Sequence, residues 1–149
     1  MSFRFTELEL PGMVLVETTL WEDPRGVFLE SYQRSAFLDA GISFDFPQDN
    51  FAASSQGVLR GLHFQRAPHA QGKLIRVSEG AIWDVGVDLR EGSPTFGKWV
   101  GVELRQGSGT MLFLPPGFGH GYVVLSQRAH VSYKATAEYH PELDAGIRW

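Results

Sequence analysis

The sequence contains no cysteine, which excludes disulfide bonds and thiolate metal ligands. No stretch approaches the run of about 18 apolar residues that a membrane-spanning helix needs, and the first residues lack the apolar core of a secretory signal. The net charge is −4, so there is no basic excess of the kind that binds nucleic acid. These absences predict a cytoplasmic protein with neither a membrane nor a nucleic acid as its main partner.

Helical patterns are also scarce. The chain has 149 residues, of which 43% are hydrophobic, and this size predicts a single domain over residues 1–149. Only residues 35–40 have the character of a helix, with Ser35 as a plausible N-cap and Gly41 as the residue that stops it. We find no repeat, linker or low-complexity segment.

Strand patterns fill most of the remaining sequence. In the clearest, residues 82–89, Trp83 and Val85 alternate with Asp84 and Gly86, which indicates a half-buried strand. Further strands are predicted at residues 12–17, 27–32, 59–65, 74–78, 99–104, 111–114, 122–125 and 129–137, with a hairpin turn at 23–26. Many short strands and one helix predict an all-β sandwich or jelly-roll barrel. Because such a barrel can hold a small ligand, polar residues on a strand face can point inward.

Residues 57–65 are rich in hydrogen-bonding groups and contain Arg60 and His63. Strict alternation along a strand would place these two side chains on opposite faces of the sheet. Gly61 lies between them, and a strand glycine often marks a bulge that redirects a neighbouring side chain. The local pattern therefore leaves open whether Arg60 and His63 share one site.

A second polar segment follows the second cupin signature, which reads Gly, five residues, Pro, one residue, Gly, two residues, His. The matching positions are Gly109, Pro115, Gly117 and His120. The Asn that normally ends the signature is replaced by Val124, and the His-x-His pair of the first signature is reduced to His63 and Gln65. Divalent metals usually need three or more nitrogen or oxygen ligands from the protein, so two histidines predict a cupin without a metal.

Other reactive side chains have ordinary interpretations from their local pattern. Three histidines are predicted to lie on the surface or in loops, as polar residues mostly do: His69, His130 and His140. Lys73, at the start of a strand, is typical of an exposed lysine, and Tyr133 of a core tyrosine with a satisfied hydroxyl.

Several motifs occur together in a fixed order from about Pro11 to Trp149. They lie at residues 23–26, 30–32, 48–50, 57–65, 70–74, 84–90, 93–97, 116–121 and 133–136. With this set the chain resembles the dTDP-4-dehydrorhamnose 3,5-epimerases (dTDP-4-dehydro-6-deoxyglucose 3,5-epimerases) of the cupin superfamily. No single motif is decisive, but their combined order is highly specific.

The resemblance implies a cupin-type jelly-roll homodimer that uses no metal and no organic cofactor. It implies epimerisation at C3 and C5 of dTDP-4-dehydro-6-deoxy-D-glucose, giving dTDP-4-dehydro-L-rhamnose through an enolate. In that family's pattern His63 falls on the general base, Tyr133 on the proton donor and Lys73 on the cation beside the developing enolate.

The resemblance also implies a set of substrate-binding residues. Arg60 and Arg25 match contacts to the diphosphate, with Arg25 reaching the site of the partner subunit. The polar pocket positions are Gln48, Asn50 and His120, and the positions associated with the nucleotide are Glu30, Trp21 and Tyr139. Of these, Trp21 and Tyr139 have rings that can stack on thymine.

One departure concerns the C-terminus, since family members continue beyond the segment 146–149 with a tail that carries an Asp bonded to the catalytic His. We therefore expect this chain to lack that tail, with a base that is less well oriented. Asp84 is the residue that we expect to face the pocket and to organise its cations or His63.

Three alternatives remain open at the level of sequence. The chain could be a C3-only epimerase or a keto-isomerase of another dTDP-deoxysugar pathway, which would share the base and differ in pocket shape. It could be a metal-dependent cupin, although the ligand set is deficient. It could also be a cupin that binds a sugar nucleotide without catalysis.

Overall fold

The computed structural model describes residues 2–149 and confirms the predicted all-β class. The strands are β1 Phe3–Glu7, β2 Val14–Thr18, β3 Trp21–Asp23, β4 Gly26–Phe28, β5 Gln48–Ser55, β6 Leu59–Gln65, β7 Lys73–Glu79, β8 Ala81–Asp88, β9 Trp99–Arg105, β10 Thr110–Leu114, β11 Phe118–Val124, β12 Arg128–Ala135 and β13 Asp144–Gly146. The helices are α1 Arg34–Asp39 and a 3-10 turn, Pro141–Leu143. Within residues 2–149 no helix has the length and apolar character needed to cross a membrane.

Two antiparallel sheets form the barrel. The six-stranded sheet has the order β1-β2-β10-β7-β12-β5, and the five-stranded sheet has the order β13-β6-β11-β8-β9. The neighbours in both sheets are antiparallel. Strands that follow each other in sequence often lie in different sheets, as in a jelly roll.

The main core lies between the two sheets. Its fully or nearly fully buried side chains come from both sheets and include Ile75, Val77, Ile82, Leu104, Leu112, Leu114, Val124 and Val131. Burying each such side chain contributes about 1.5–3 kcal/mol to folding. Because the core fills part of the barrel, the remaining interior is free to form a cavity.

A second core lies on the outer face of the six-stranded sheet, under α1. Phe37 of α1 is fully buried there against Phe3, Leu74, Met111 and Phe113. Strand β10 is therefore covered on both faces, which explains its continuous apolar sequence.

The helix itself differs from the prediction at its start. Its N-cap is Gln33, not Ser35, and no side chain caps the first turn. Its end is as predicted, since Gly41 has a φ of 85° and its N–H donates to the carbonyl of Leu38. The bulky Phe37 anchors the helix by packing, which substitutes for the missing cap.

Strand β8 shows which face of the five-stranded sheet points inward. Asp84 and Asp88 are fully buried, whereas Trp83 on the other face is 39% exposed. The alternation was predicted correctly, but its polar face lies inside the barrel. Asp88 is satisfied there by Arg90, whose hydrogen bonds lower the pKa of the carboxyl well below its usual range.

The strand predicted at 27–32 is much shorter than expected. It ends at Phe28, and β4 pairs with β3 alone in a separate two-stranded sheet. All six residues of this hairpin are exposed, including Trp21 and Phe28, whose ring centroids lie 6.1 Å apart. We call residues 21–28 the arm, because no residue within its two strands is buried.

Strands β1, β3, β5 and β13 were not among the predicted strands. β5 escaped notice because its inward positions carry polar or small residues, Gln48, Asn50 and Ala52, which give no apolar alternation. Its regular burial pattern reveals the strand once its inner face is known to line a cavity.

Candidate active site

A cavity of about 440 Å³ lies between the two sheets and is large enough for a small ligand. Eight of the eleven residues that the sequence indicated line it. They are Gln48, Asn50, Arg60, His63, Lys73, His120, Tyr133 and Tyr139. Residues separated by up to 91 positions in the chain are thus brought to one place by the pairing of the strands.

The six-stranded sheet supplies one wall of this cavity. Tyr133 of β12 pairs in register with Asn50 of β5 and with Ile75 of β7. Lys73 begins β7 with its side chain on the same inward face, and its Nζ lies 5.7 Å from the centroid of the Tyr133 ring. A cation and a phenol therefore stand side by side on this wall.

The five-stranded sheet supplies the opposite wall. Across β6 and β11, His63 pairs with His120 and Arg60 pairs with Tyr122. The register thus passes three positions on β6 for two on β11, so β6 contains the extra residue that was anticipated at Gly61. This bulge places both Arg60 and His63 at the cavity.

Gly61 is required at the bulge by its close surroundings. Its φ is 120°, and a Cβ built there would lie 2.5 Å from the Cα of Gly121 and 2.6 Å from the carbonyl oxygen of His120. Both distances are too short for any side chain, so the two strands approach each other through paired glycines.

Lys73 is the most unusual charged group in the cavity, because its residue is only 8% exposed. Burial lowers the pKa of its ammonium below the usual value, and the carboxylates of Asp144 and Asp84 oppose that shift. The expectation of an exposed lysine from local pattern was wrong. A buried ammonium in an open-ended cavity is a group that can stabilise negative charge on a ligand.

The phenol of Tyr133 is also shifted. Burial raises its pKa, and the positive charge of Arg60 opposes the shift. Its proton is therefore retained over the neutral pH range, which suits a hydroxyl that donates a proton or a hydrogen bond.

Asp84 lies on the inward face of its sheet, but it bonds to His120 and not to His63. Its Oδ1 lies 2.7 Å from Nε2 of His120, and both side chains are almost fully buried. This bond holds the His120 ring in one orientation. His63 is more exposed and makes no side-chain hydrogen bond among residues 2–149, so of the two histidines only His120 is held by a carboxylate.

The mouth of the cavity carries Tyr139. Its backbone N–H donates to Oε1 of Gln48 at 2.8 Å, and its hydroxyl donates to Oδ2 of Asp144 at 3.2 Å. Gln48 in turn donates from Nε2 to Oδ1 of Asn50 at 3.1 Å. The ring of Tyr139 is 52% exposed and can offer a flat face to a ligand.

Three indicated residues lie elsewhere in the chain: Trp21, Arg25 and Glu30. None of them is among the described residues that line the cavity. Arg25 projects from the turn of the arm, where its Nη2 pairs with Oδ2 of Asp23 at 2.5 Å. Within one chain, therefore, the arm does not contribute to this cavity.

The remaining histidines lie outside the cavity. His69 is exposed and stacks on His140 with ring centroids 3.9 Å apart, while His130 pairs with Glu79. In the described part of the chain no group of three or more His, Cys, Asp or Glu side chains is arranged to hold a metal ion.

Several lining residues were not predicted, and of these Tyr122 and Asp144 carry chemistry. Tyr122 could have been found, because it stands two positions after His120 on one strand and so shares its face. Asp144 gives no comparable signal, since it lies in a three-residue strand that forms only by pairing with β6.

The geometry defines a class of protein. A histidine on one wall, a phenol on the facing wall and a buried ammonium beside the phenol are the groups that move protons at a carbon next to a carbonyl. The cavity therefore indicates an enzyme that handles a small carbonyl compound.

Comparison with known proteins gives the family. The family model described as dTDP-4-dehydrorhamnose 3,5-epimerase matches residues 7–149, and the chain belongs to this family of isomerases. The dTDP-4-dehydrorhamnose 3,5-epimerase of Methanothermobacter thermautotrophicus is 47% identical over 148 residues, covering 99% of this chain and 80% of that protein.

Solved structures agree with this assignment. The dTDP-6-deoxy-D-glucose-3,5-epimerase of Legionella pneumophila, in complex with dTDP-4-keto-L-rhamnose, superposes with a TM-score of 0.95 at 42% identity, covering 99% of this chain and 78% of that one. A 3′-monoepimerase from Streptomyces bikiniensis, in complex with dTDP-quinovose, gives a TM-score of 0.88 at 34% identity, covering 95% and 72%.

Proposed function

We propose that the chain epimerises dTDP-4-dehydro-6-deoxy-D-glucose at C3 and C5 to dTDP-4-dehydro-L-rhamnose. His63 removes the proton next to the C4 ketone, the electrons move to the C4 oxygen as an enolate, and Tyr133 returns a proton to the other face of the same carbon. Solvent then takes the proton from His63 and restores the one on Tyr133, so the residues are unchanged after each inversion. No cofactor is consumed in this scheme.

Lys73 is assigned to the enolate. A C–H group next to a ketone is a much weaker acid than imidazolium. Each unit of difference between their pKa values adds about 1.36 kcal/mol to the cost of transferring the proton to a histidine. An ammonium beside the C4 oxygen lowers that cost, and its burial strengthens the interaction by excluding water.

The observation that carries the proposal is the division of the catalytic groups between the two walls. His63 belongs to the five-stranded sheet, whereas Tyr133 belongs to the six-stranded sheet. A sugar ring held between them presents opposite faces to base and acid, which inversion requires. Tyr122, another phenol of the cavity, lies on the same sheet as His63 and so on the wrong side for delivery.

The direct test is exchange of sugar protons with solvent. In deuterated water the protein should incorporate deuterium at both C3 and C5 of the substrate, followed by nuclear magnetic resonance, and the L-sugar should accumulate when a reductase traps the product. Tight binding of dTDP without any exchange would instead indicate a binding protein without catalysis.

Tyr133→Phe separates the two half-reactions. We expect turnover to the L-sugar to fall by about 10²–10⁴-fold, because delivery from the six-stranded wall loses its acid. Loss of the substrate proton should stay measurable, since His63 is untouched. Both rates are read in one experiment from the deuterium content of substrate and product.

The matched control for that variant is Tyr122→Phe, which removes a phenol from the opposite wall of the cavity. It should retain turnover within a few fold. If Tyr122→Phe stopped product formation and Tyr133→Phe did not, the acid would be assigned to the wrong wall.

We further propose that the working unit is a homodimer in which the arm of one subunit completes the site of its partner. The arm is exposed along its whole length, and its Trp21 and Arg25 lie away from the cavity of their own chain. In each site, Arg25 from the arm of one subunit and Arg60 of the other subunit would bind the diphosphate. Glu30 and Trp21 would contact the nucleotide, and the rings of Trp21 and Tyr139 would stack on thymine.

Mixing two inactive variants tests the exchanged arm. His63→Ala lacks the base and Arg25→Ala lacks the arm's guanidinium group, yet a mixed dimer would contain one site in which both residues are intact. With random assortment about half of the dimers are mixed and half of their sites are restored, so roughly a quarter of wild-type activity should return. An arm that served its own chain would restore none.

A C3-only epimerase is the second candidate. It is favoured by the similarity to the Streptomyces bikiniensis 3′-monoepimerase. Deuterium at C3 alone, with C5 unlabelled after many turnovers, would support it over the 3,5-epimerase.

A further inference from the structure

The segment that carries Tyr139 across the cavity mouth is held by glutamine side chains. We call residues 137–140 the strap. Gln65 donates from Nε2 to the carbonyl of Glu138 at 3.0 Å and accepts at Oε1 from the N–H of His140 at 2.9 Å. It thus forms hydrogen bonds with the residue before Tyr139 and with the residue after it.

Gln65 is more deeply buried than Gln48 and Gln71, the other glutamines that bond to the strap. It is 4% exposed, and its Nε2 also donates to the carbonyl of His69 at 2.6 Å. Both of its donor hydrogens and its oxygen are used, and a flipped amide would point N–H groups at an N–H and an oxygen at two carbonyls. The amide therefore has one orientation.

Each of the other two glutamines makes a single hydrogen bond to the strap. Gln71 donates to the carbonyl of Ala137 at 2.8 Å, and Gln48 accepts from the N–H of Tyr139. Gln65 is the side chain that joins the strap to β6, the strand that also bears His63. A movement of Gln65 would separate Tyr139 from the base.

We infer that Gln65 is a positioning residue that sets the ring of Tyr139 against the nucleotide. The inference rests on the proposed function, because it takes the ligand at the mouth to be the thymidine diphosphate handle. Gln65 also occupies the position at which the first cupin signature has its second histidine. That position thus has a defined task in this chain, as a clamp on the binding segment.

The consequence is a separation of binding from chemistry. Tyr139 contacts the handle and not the reacting carbons, so loosening the strap should weaken binding and leave the saturated rate nearly unchanged. A residue with a merely structural role would lower the amount of folded protein and leave both constants of the folded fraction intact.

Gln65→Glu and Gln65→Leu, both close to glutamine in size, provide the test. The leucine variant loses all three hydrogen bonds of the amide, and the ionised glutamate variant loses the two that Nε2 donates. Each should therefore weaken binding of dTDP by about tenfold or more, with kcat within about twofold of wild type. Calorimetric titration gives the dissociation constant, and the exchange assay gives kcat. The matched control is Gln56→Glu, whose amide donates to the carbonyl of Leu125 away from the cavity and which should bind dTDP like wild type.

The glutamate variant adds a pH signature. When its carboxyl is protonated it again offers a donor to the strap, so the ratio of its dissociation constant to that of wild type should shrink as the pH falls. The leucine variant should show a constant ratio. Hydrogen exchange adds a measure that needs no ligand, because the amide of His140 should exchange faster in the leucine variant.

The outcomes are distinct. A wild-type protein that neither binds dTDP nor exchanges protons would overturn the proposed function, while faster exchange at His140 in the variant would still support the clamp. A folded leucine variant that bound dTDP within twofold of wild type and protected His140 equally would overturn the clamp. If the leucine variant does not fold, the glutamate variant provides the test. A ratio of its dissociation constant to that of wild type that stays the same at every pH would overturn the clamp.

Discussion

His63→Ala should lower deuterium exchange at C3 and at C5 together, by about 10²–10⁴-fold. The five-stranded wall holds one other histidine at the cavity, His120, and its Nε2 is bonded to the fully buried Asp84. This bond fixes the ring of His120, which is only 5% exposed, whereas the more exposed His63 is free to approach a carbon of the substrate. Exchange followed by nuclear magnetic resonance at saturating substrate measures the loss.

The control for this variant is His130→Ala, which removes an imidazole from the same protein outside the cavity and should leave exchange unchanged. We expect binding of dTDP to survive in His63→Ala, since in the proposed complex the handle lies toward Tyr139. If His63→Ala exchanged at the wild-type rate while His120→Ala did not, the base would be His120.

Lys73→Met should have the second large effect, a fall in kcat of about 10²–10³-fold with little change in dTDP affinity. Methionine keeps most of the length and the apolar stem of lysine in this buried position and removes the ammonium group. That charge matters most when the enolate forms, so the loss belongs in kcat. A rise in KM with unchanged kcat would make Lys73 a simple binding residue.

The pH profile gives the same residue a signature of its own. Because burial lowers the pKa of the Lys73 ammonium, the charged form is present below that lowered pKa and is lost as the pH rises through it. The basic limb of kcat should therefore lie below the pH at which an ordinary lysine titrates, about 10.4. Lys134→Met, which removes a lysine paired with Asp49 outside the cavity, should leave that limb in place.

The strands could largely be predicted from sequence because alternation and turn residues are local signals. β6 was placed at its observed bounds, and β8, β9 and β12 were each placed to within two residues at either end. The faces were harder to assign. A buried polar face such as that of β8 has the same alternation as an exposed one, and only the second sheet decides which side is the interior.

For the same reason, only some features of the cavity could be predicted from sequence. Local pattern made Lys73 an exposed lysine, and only the order of motifs along the chain brought it to the cavity with Tyr133. The bond of Asp84 to His120 and the bonds of Gln65 to the strap depend on distances in the folded chain that no local pattern contains. The separation of the arm from its own cavity is likewise a property of the folded chain.

The placement of the proposed base and acid on separate sheets has an evolutionary consequence. The gap between them is set by the side chains that fill the barrel, among them Ile75, Leu112 and Val131, and not by any segment that joins the two groups. Substitutions deep in the core can therefore change which carbon of a ring lies in line with both groups while every residue that touches the ligand stays the same. New stereochemical outcomes are accessible to such a scaffold through its packing, and searches for altered products should sample the core as well as the pocket.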